Sequence, residues 1–459
     1  MENSEKPQSN KMDMLHGSLL DKILMFALPL AASSILQQLF NSADIAVVGR
    51  FAGSQAQAAV GSNSSVINLL INLFVGLSVG ANAVIANYIG QRQKEKIRDA
   101  VHTVIVIALI SGVFLLVVGI AVARPILVLM NTPANILEQA ILYLQIYFIG
   151  MPFIMFYNFG SAILRSKGDT KRPLYCLIVS GIINIVLNLI LVIQFSLGVA
   201  GVAIATVISN VVSSGMILLF LLKEEEPFRL YPKKLALKKA PLMHILRIGV
   251  PAGIQSVVFS LSNVCIQTAI NGFGSDAVAG STDALNFEYF AYFMVNAFSQ
   301  TAVTFTSQNF GARKDDRCKK VFRLCMASSV VITGIMCAVF VLGRNSLIRI
   351  YTVDDAVIQF AMTRLLHVIT FEWLVSSYEI SASALRGMGY SMLPTVITII
   401  GTCCLRLLWV YTVFVKYDSF GMLMNVYPVS WVITGTAMLT AYFVLRKKAF
   451  SAKKISLNT

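Results

Sequence analysis

The sequence predicts an all-α integral membrane protein: twelve transmembrane helices in two six-helix lobes, related by a pseudo-two-fold axis along the membrane normal. Three observations carry this. Apolar runs of about 20 residues, each long enough to cross a hydrocarbon layer of ~30 Å, follow one another from Ile23 to Leu445. With no water there to satisfy backbone groups, the runs must be helical. Composition agrees: the 459 residues are 56% hydrophobic and 13% charged, against roughly 25% charged in a soluble domain. Such a chain cannot cover a water-facing surface. Thirdly, the sequence repeats itself. Leu164-Arg165-Ser166-Lys167-Gly168-Asp169-Thr170-Lys171-Arg172-Pro173 is echoed 221 residues later by Leu385-Arg386-Gly387-Met388-Gly389-Tyr390-Ser391-Met392-Leu393-Pro394. Gly90-Gln91-Arg92 recurs as Gly311-Ala312-Arg313 at the same distance, and the proline of Ala27-Leu28-Pro29-Leu30-Ala31 recurs 222 residues on in Gly249-Val250-Pro251-Ala252. Two homologous halves in a membrane protein point to a transporter whose substrate path lies between them.

The first six spans are expected near residues 23–48, 61–89, 100–123, 138–163, 173–195 and 198–222. The Gly-x-Arg turn closes the second and the Leu-Arg-x-x-Gly turn closes the fourth. The polar stretch 223–241 links the halves. The second six follow near 242–270, 278–309, 321–343, 356–384, 394–416 and 423–445, with the same turns after the eighth and tenth. The expected organisation is an N-terminal segment (1–22), a first lobe (23–222), the linker (223–241), a second lobe (242–445) and a basic tail (446–459). An even number of spans per lobe inserts both lobes in the same orientation.

The net charge of +15 could suggest nucleic acid, but its distribution argues otherwise. Of 37 Lys and Arg residues, 30 fall in the termini and the even-numbered loops. That is a positive-inside pattern, placing both termini in the cytoplasm of a plasma (inner) membrane protein whose partner is the lipid bilayer, with no nucleic acid. The seven cysteines show neither a disulfide framework nor metal spacing. Residues 1–22 lack a signal peptide's apolar core, so the first span is the expected insertion signal. Four histidines without an HExxH pair, and no GxxxxGK[ST] loop, leave no sign of an enzyme, a cofactor or ATP hydrolysis. An ion gradient or the substrate's own gradient must drive transport.

Charge inside hydrocarbon costs about 2.5–3.5 kcal/mol on insertion scales, so each intramembrane ionisable residue is a candidate. The candidates are Asp44, Asp283, Glu288, Arg364, Glu372, Glu379 and Arg406. Asp44 is the strongest. Ser34, Gln37, Asn41 and Asp44 recur at helical spacing as a polar stripe, and Pro29 can bend that helix. The bland alternative is a carboxylate wetted near the outer interface. Asn184 and Asn188 are four apart in span five and Thr206 and Asn210 four apart in span six; Asn184, Asn188 and Thr206 reach comparable depth. With Asp44 they form an oxygen-rich cluster suited to Na⁺ or a proton; without it they read as interhelical glue.

The second half lacks an acid at the position matching Asp44. Asp283, Glu288, Glu372, Glu379 and Arg406 compose a possible second substrate or ion site. Glu372 and Glu379, seven apart, share a helical stripe, and a structural Glu372–Arg406 ion pair weighs equally with a transport role. Asp283 and Glu288 flank Phe287, Tyr289, Phe290, Tyr292 and Phe293, an arrangement that suits an organic cation or plain ring packing. His367 reads as packing or helix-to-helix bonding.

These features together resemble the multidrug and toxic compound extrusion (MATE) transporters of the DinF-like bacterial branch, over essentially the whole chain from about Leu20 to Leu445. The resemblance implies a V-shaped MATE-like fold with a central cavity opening alternately to either side. It implies export of cationic or amphipathic organic compounds in exchange for Na⁺ or H⁺. It also implies a cation-coupling site in the first lobe at Asp44, Asn184, Asn188 and Thr206, supported by Gln37, Asn41 and Asn210, with a bend at Pro29. Asn188 stands where the family often has a carboxylate, which leaves Asp44 as the one formal negative charge there. A monomer without cofactor is expected. The alternative is a flippase for a lipid-linked glycan, which would need a strongly basic cavity; away from the span ends the basic residues are Arg364 and Arg406. Residue identity leaves the carried compound open, because aromatic and Met surface tolerates many shapes.

Overall fold

A computed structural model describes residues 12–130 and 132–455. Residues 1–11 of the expected N-terminal segment and 456–459 of the tail lie outside the described residues. Every regular element among those described is helical. The chain divides into two compact units, one ending at Leu246 and including Gly311–Lys314, the other made of Arg247–Phe310 and the remainder from Asp315.

In the first unit, α1 (Leu20–Ala52), α2 (Ser54–Gly90) and α3 (Lys94–Leu129) are long and unbroken. The fourth expected span is instead two helices, α4 (Ala134–Ile149) and α5 (Met151–Ser166), bent by 48°. Gly150 separates them and Pro152, in the first turn of α5, has no N–H to continue the ladder of α4. Helix α6 (Lys171–Leu189) runs into a π-helical turn, Ile190–Gln194, before α7 (Gly198–Leu222).

The second unit takes up most of α8 (Lys239–Asn271) and of α9 (Ser275–Gly311), then α10 (Asp315–Ile348). The tenth expected span is α11 (Asp355–His367), a 3-10 stretch Ile369–Leu374 and α12 (Val375–Gly387). The eleventh starts with α13 (Met392–Thr398) and is interrupted by π-helical turns at Ile399–Cys404 and Val410–Phe414. The last, after the short α14 (Phe420–Met424), is α15, which continues from Val426 to Ile455, past the expected end of the span and into the tail.

Nine of these helices are long and apolar enough to cross a membrane among the described residues, ten counting the bent pair. The two other expected spans, around 278–309 and 356–384, are helical but richer in acids, hydroxyls and amides, and the second is broken by its 3-10 stretch.

The repeat has a structural basis. Gly168 and Gly389 both adopt left-handed backbone (φ 102° and 91°), a conformation that costs glycine little because it lacks a Cβ. The same bonds close both turns: Gly168 N–H to Arg165 O and Asp169 N–H to Leu164 O in one, Gly389 N–H to Arg386 O and Tyr390 N–H to Leu385 O in the other, at 2.9–3.1 Å. This is a Schellman-type helix end. Arg92 and Arg313 likewise match, at φ 57° and 58°, as do Gly53 and Gly274 at φ 93°.

The linker is packed onto the first unit. Glu224 is buried in an ion-pair cluster with Lys167 (2.7 Å) and Arg172 (2.5 Å). Tyr231 lies parallel to the His102 ring and donates its N–H to His102 Nε2 at 3.2 Å.

Candidate cation-coupling site

Helix α1 stays helical across Pro29, and Ser33 Oγ donates to the Pro29 carbonyl at 2.8 Å. Fifteen residues further on, Asp44 is 7% exposed. Its carboxylate accepts from Asn188 Nδ2 at 2.5 Å and from Thr206 Oγ1 at 3.4 Å. Asn188 Nδ2 also donates to Asn184 Oδ1 at 3.2 Å, and Asn184 Nδ2 reaches Thr206 Oγ1 at 3.5 Å. The i, i+4 spacing of the asparagines puts both amides on the α6 face turned to α1 and α7.

Thr206 has one hydroxyl hydrogen for two acceptors, Asp44 Oδ2 and the Val202 carbonyl at 3.0 Å. Asn188 is fully buried, and its Oδ1 has no hydrogen-bond partner among the described residues. Tyr143 and Tyr147 of α4 lie within electrostatic reach of the carboxylate. Asp44, the two asparagine oxygens and the Thr206 hydroxyl are hard oxygen donors, chemically suited to Na⁺, and the carboxylate alone can take a proton.

The supporting polar face is placed differently. Gln37 and Asn41 are exposed, and the hydrogen-bond partners of Asp44 are Asn188 and Thr206 rather than those two. Asn210 donates to the Thr206 carbonyl of its own helix at 2.8 Å.

In the second unit, Glu288 and Arg364 form a two-point ion pair, Nε–Oε1 2.6 Å and Nη2–Oε2 2.8 Å, with Ser281 Oγ accepting from Arg364 Nη1 at 2.6 Å. The Glu372–Arg406 pair does not form. Arg406 donates to Ser430 and Asn263 and lies over the Tyr427 ring at 4.5 Å. The 3-10 stretch turns Glu372 out of helical phase with Glu379, and the π-helical turn before Arg406 rotates that side chain too. Glu379 instead accepts from Ser299 at 3.4 Å, and Asp283 is partly exposed. Of the aromatic run, Phe287 packs on Phe340 and Tyr351 in the core, and Tyr289 stacks on Phe293. His367 faces the Thr363 carbonyl of its own helix at 2.8 Å. Among the described residues no His, Cys, Asp and Glu group has the makings of a metal centre.

Two neighbouring contacts have no signature in the residue spacing. One is Arg364 as the partner of Glu288. The other is Gly181, where a Cβ would fall 1.9 Å from the Phe40 ring.

An all-helical chain with membrane-length helices, a duplicated turn pattern and a buried carboxylate among neutral donors defines a multi-pass membrane transporter. The particular family follows from comparison: the MatE family profile matches residues 29–190 and again 251–412, and this chain belongs to that family, one of transporters and not of enzymes. The two matches start 222 residues apart, the same offset as the two prolines. It is 28% identical to the probable multidrug resistance protein YoeA of Bacillus subtilis (strain 168), over 98% of both chains. It is 27% identical to the probable multidrug resistance protein NorM of Thermotoga maritima, over 88% of this chain and 87% of that one. A crystal structure of MATE in the bent conformation superposes with a TM-score of 0.87 at 23% identity, covering 98% of this chain and all of the other, which establishes the fold.

Proposed function

We propose that this chain exports cationic or amphipathic organic compounds in exchange for Na⁺ or H⁺, with Asp44 carrying the ion through alternating access. One observation carries the reading: a carboxylate 7% exposed whose hydrogen-bond partners are the neutral groups of Asn188 and Thr206. In a low-dielectric setting its charge is uncompensated, and one monovalent cation or one proton neutralises it. Ion occupancy then changes the relative stability of two states, and cargo release is coupled to it by differential affinity. Two relatives named as probable multidrug resistance proteins support the cargo class. In the second unit, Glu288 is already balanced by Arg364. We read the protein as a monomer in the plasma membrane with both termini cytoplasmic, in line with the positive-inside charge pattern.

The test is Asp44→Asn in vesicles loaded with ethidium, under an imposed Na⁺ gradient and then an imposed pH gradient. The expected result is a folded, inserted protein without gradient-driven efflux. Normal coupled efflux by that variant refutes the assignment.

A further inference from the structure

Phe40 and Gly181 lie beside the Asp44 cluster but take no part in its hydrogen bonds. Phe40 is four residues before Asp44 on α1, and Gly181 is three before Asn184 and seven before Asn188 on α6. These spacings put each on the same helix face as its polar neighbours. The ring occupies the space a side chain at 181 would need: a Cβ there would fall 1.9 Å from Phe40 Cε2 and 2.0 Å from Cζ. Aromatic carbon thus lies directly on glycine backbone, one helical turn before Asp44 on α1 and two before Asn188 on α6, the two residues joined by a bond at 2.5 Å. That contact limits how closely α1 can approach α6 at this level. The cluster has little slack for error, since the Thr206–Asp44 bond is already 3.4 Å and hydrogen bonds fade beyond about 3.5 Å.

We propose that Gly181 and Phe40 are a positioning pair that sets the reach of Asp44 to Asn188 and Thr206, and through it the affinity of the coupling site. The proposal rests on the reading of Asp44 as the coupling carboxylate. Neither member touches the ion. A methyl at 181 displaces the ring, lifts α1 from α6 and withdraws the carboxylate from its donors; a smaller side chain at 40 lets α1 settle back.

The experiment compares wild type, Asp44→Asn, Gly181→Ala and Gly181→Ala with Phe40→Leu in ethidium-loaded vesicles, titrating whichever of Na⁺ or H⁺ drives wild-type efflux. Displacing an outer contact of an ion site costs on the order of 10–100-fold in affinity, so Gly181→Ala is expected to raise the half-saturating ion concentration at least about tenfold. Ethidium affinity in detergent, read by fluorescence, stays at the wild-type value, which a general loss of structure would not allow. Adding Phe40→Leu returns the ion titration to within about threefold of wild type, the coupling expected of two residues in contact. An unshifted titration for Gly181→Ala, or a shift that Phe40→Leu does not repair, overturns the positioning pair while leaving Asp44 in place provided Asp44→Asn is inactive. Normal coupling in Asp44→Asn removes the underlying site instead.

Discussion

Glu288 grips the guanidinium of Arg364 at two points, 2.6 and 2.8 Å, with both side chains under a tenth exposed. The fork geometry of arginine matches both carboxylate oxygens, and Tyr427 lies 5.5 Å from the same guanidinium. Removing one partner leaves the other as an uncompensated buried charge, a larger loss than the pair's net worth. Glu288→Ala is therefore expected to destabilise the protein by about 3–5 kcal/mol, while Glu288→Met with Arg364→Met recovers most of that. Denaturant unfolding in mixed micelles checks both; an unchanged unfolding midpoint for the single variant would count against the pair as a structural element.

Asp13 organises the turn at Leu15 and His16, ahead of α1. Its Oδ1 accepts from the Leu15 and His16 amides at 2.8 and 3.2 Å, and its Oδ2 faces His16 Nδ1 at 2.9 Å. Partial burial works to raise the carboxyl, but the Leu15 amide and the His16 ring and amide outweigh it, and the carboxyl is held below its ordinary value. A lowered carboxyl stabilises the fold above the unfolded value of about 3.9 and loses that contribution as pH falls through the folded value. Exchange of the Leu15 and His16 amides is expected to accelerate below about pH 4, and to be fast at neutral pH in Asp13→Ala. Protection that stays flat down through the acid range would contradict this.

Two helical glycines should respond in opposite ways. A Cβ at Gly112 would meet Pro152 Cα, backbone of α5, at 2.4 Å, whereas one at Gly215 meets nothing within 4 Å. Gly112→Ala is expected to cost about 1–3 kcal/mol through overpacking. Gly215→Ala is expected to be neutral or to stabilise by up to ~1 kcal/mol through helix propensity. Thermal midpoints of the two variants, measured side by side in one detergent, decide it.

Much of the fold was legible because membrane helices and chain reversals obey local rules. Apolar run length marked where helices must form, and the echoed Leu-Arg-x-x-Gly turn marked where glycine backbone reverses the chain. Asn184, Asn188 and Thr206 could be set at comparable depth because α6 is regular from Lys171 past both asparagines and α7 is regular from Gly198 past Thr206. The second half resisted the same treatment where regularity fails. Counting Glu372 and Glu379 seven apart assumes one α-helical phase, and the 3-10 stretch Ile369–Leu374 breaks it. The π-helical turn Ile399–Cys404 does the same ahead of Arg406. Periodicity also says nothing about which helices become neighbours, so the partnership of Glu288 with Arg364, 76 residues apart, carried no local signature. Gly150 with Pro152 bends the fourth span for reasons that are local and readable, though apolar length alone hides it.

The solitude of the carboxylate on α1 has an electrical consequence. If Asp44 carries the ion as proposed, a group neutralised once per cycle would return one elementary charge for each cargo molecule expelled. Exchange of a monovalent organic cation for a single Na⁺ or proton would then transfer no net current, and the chemical gradient alone would set how far the cargo can be concentrated outside.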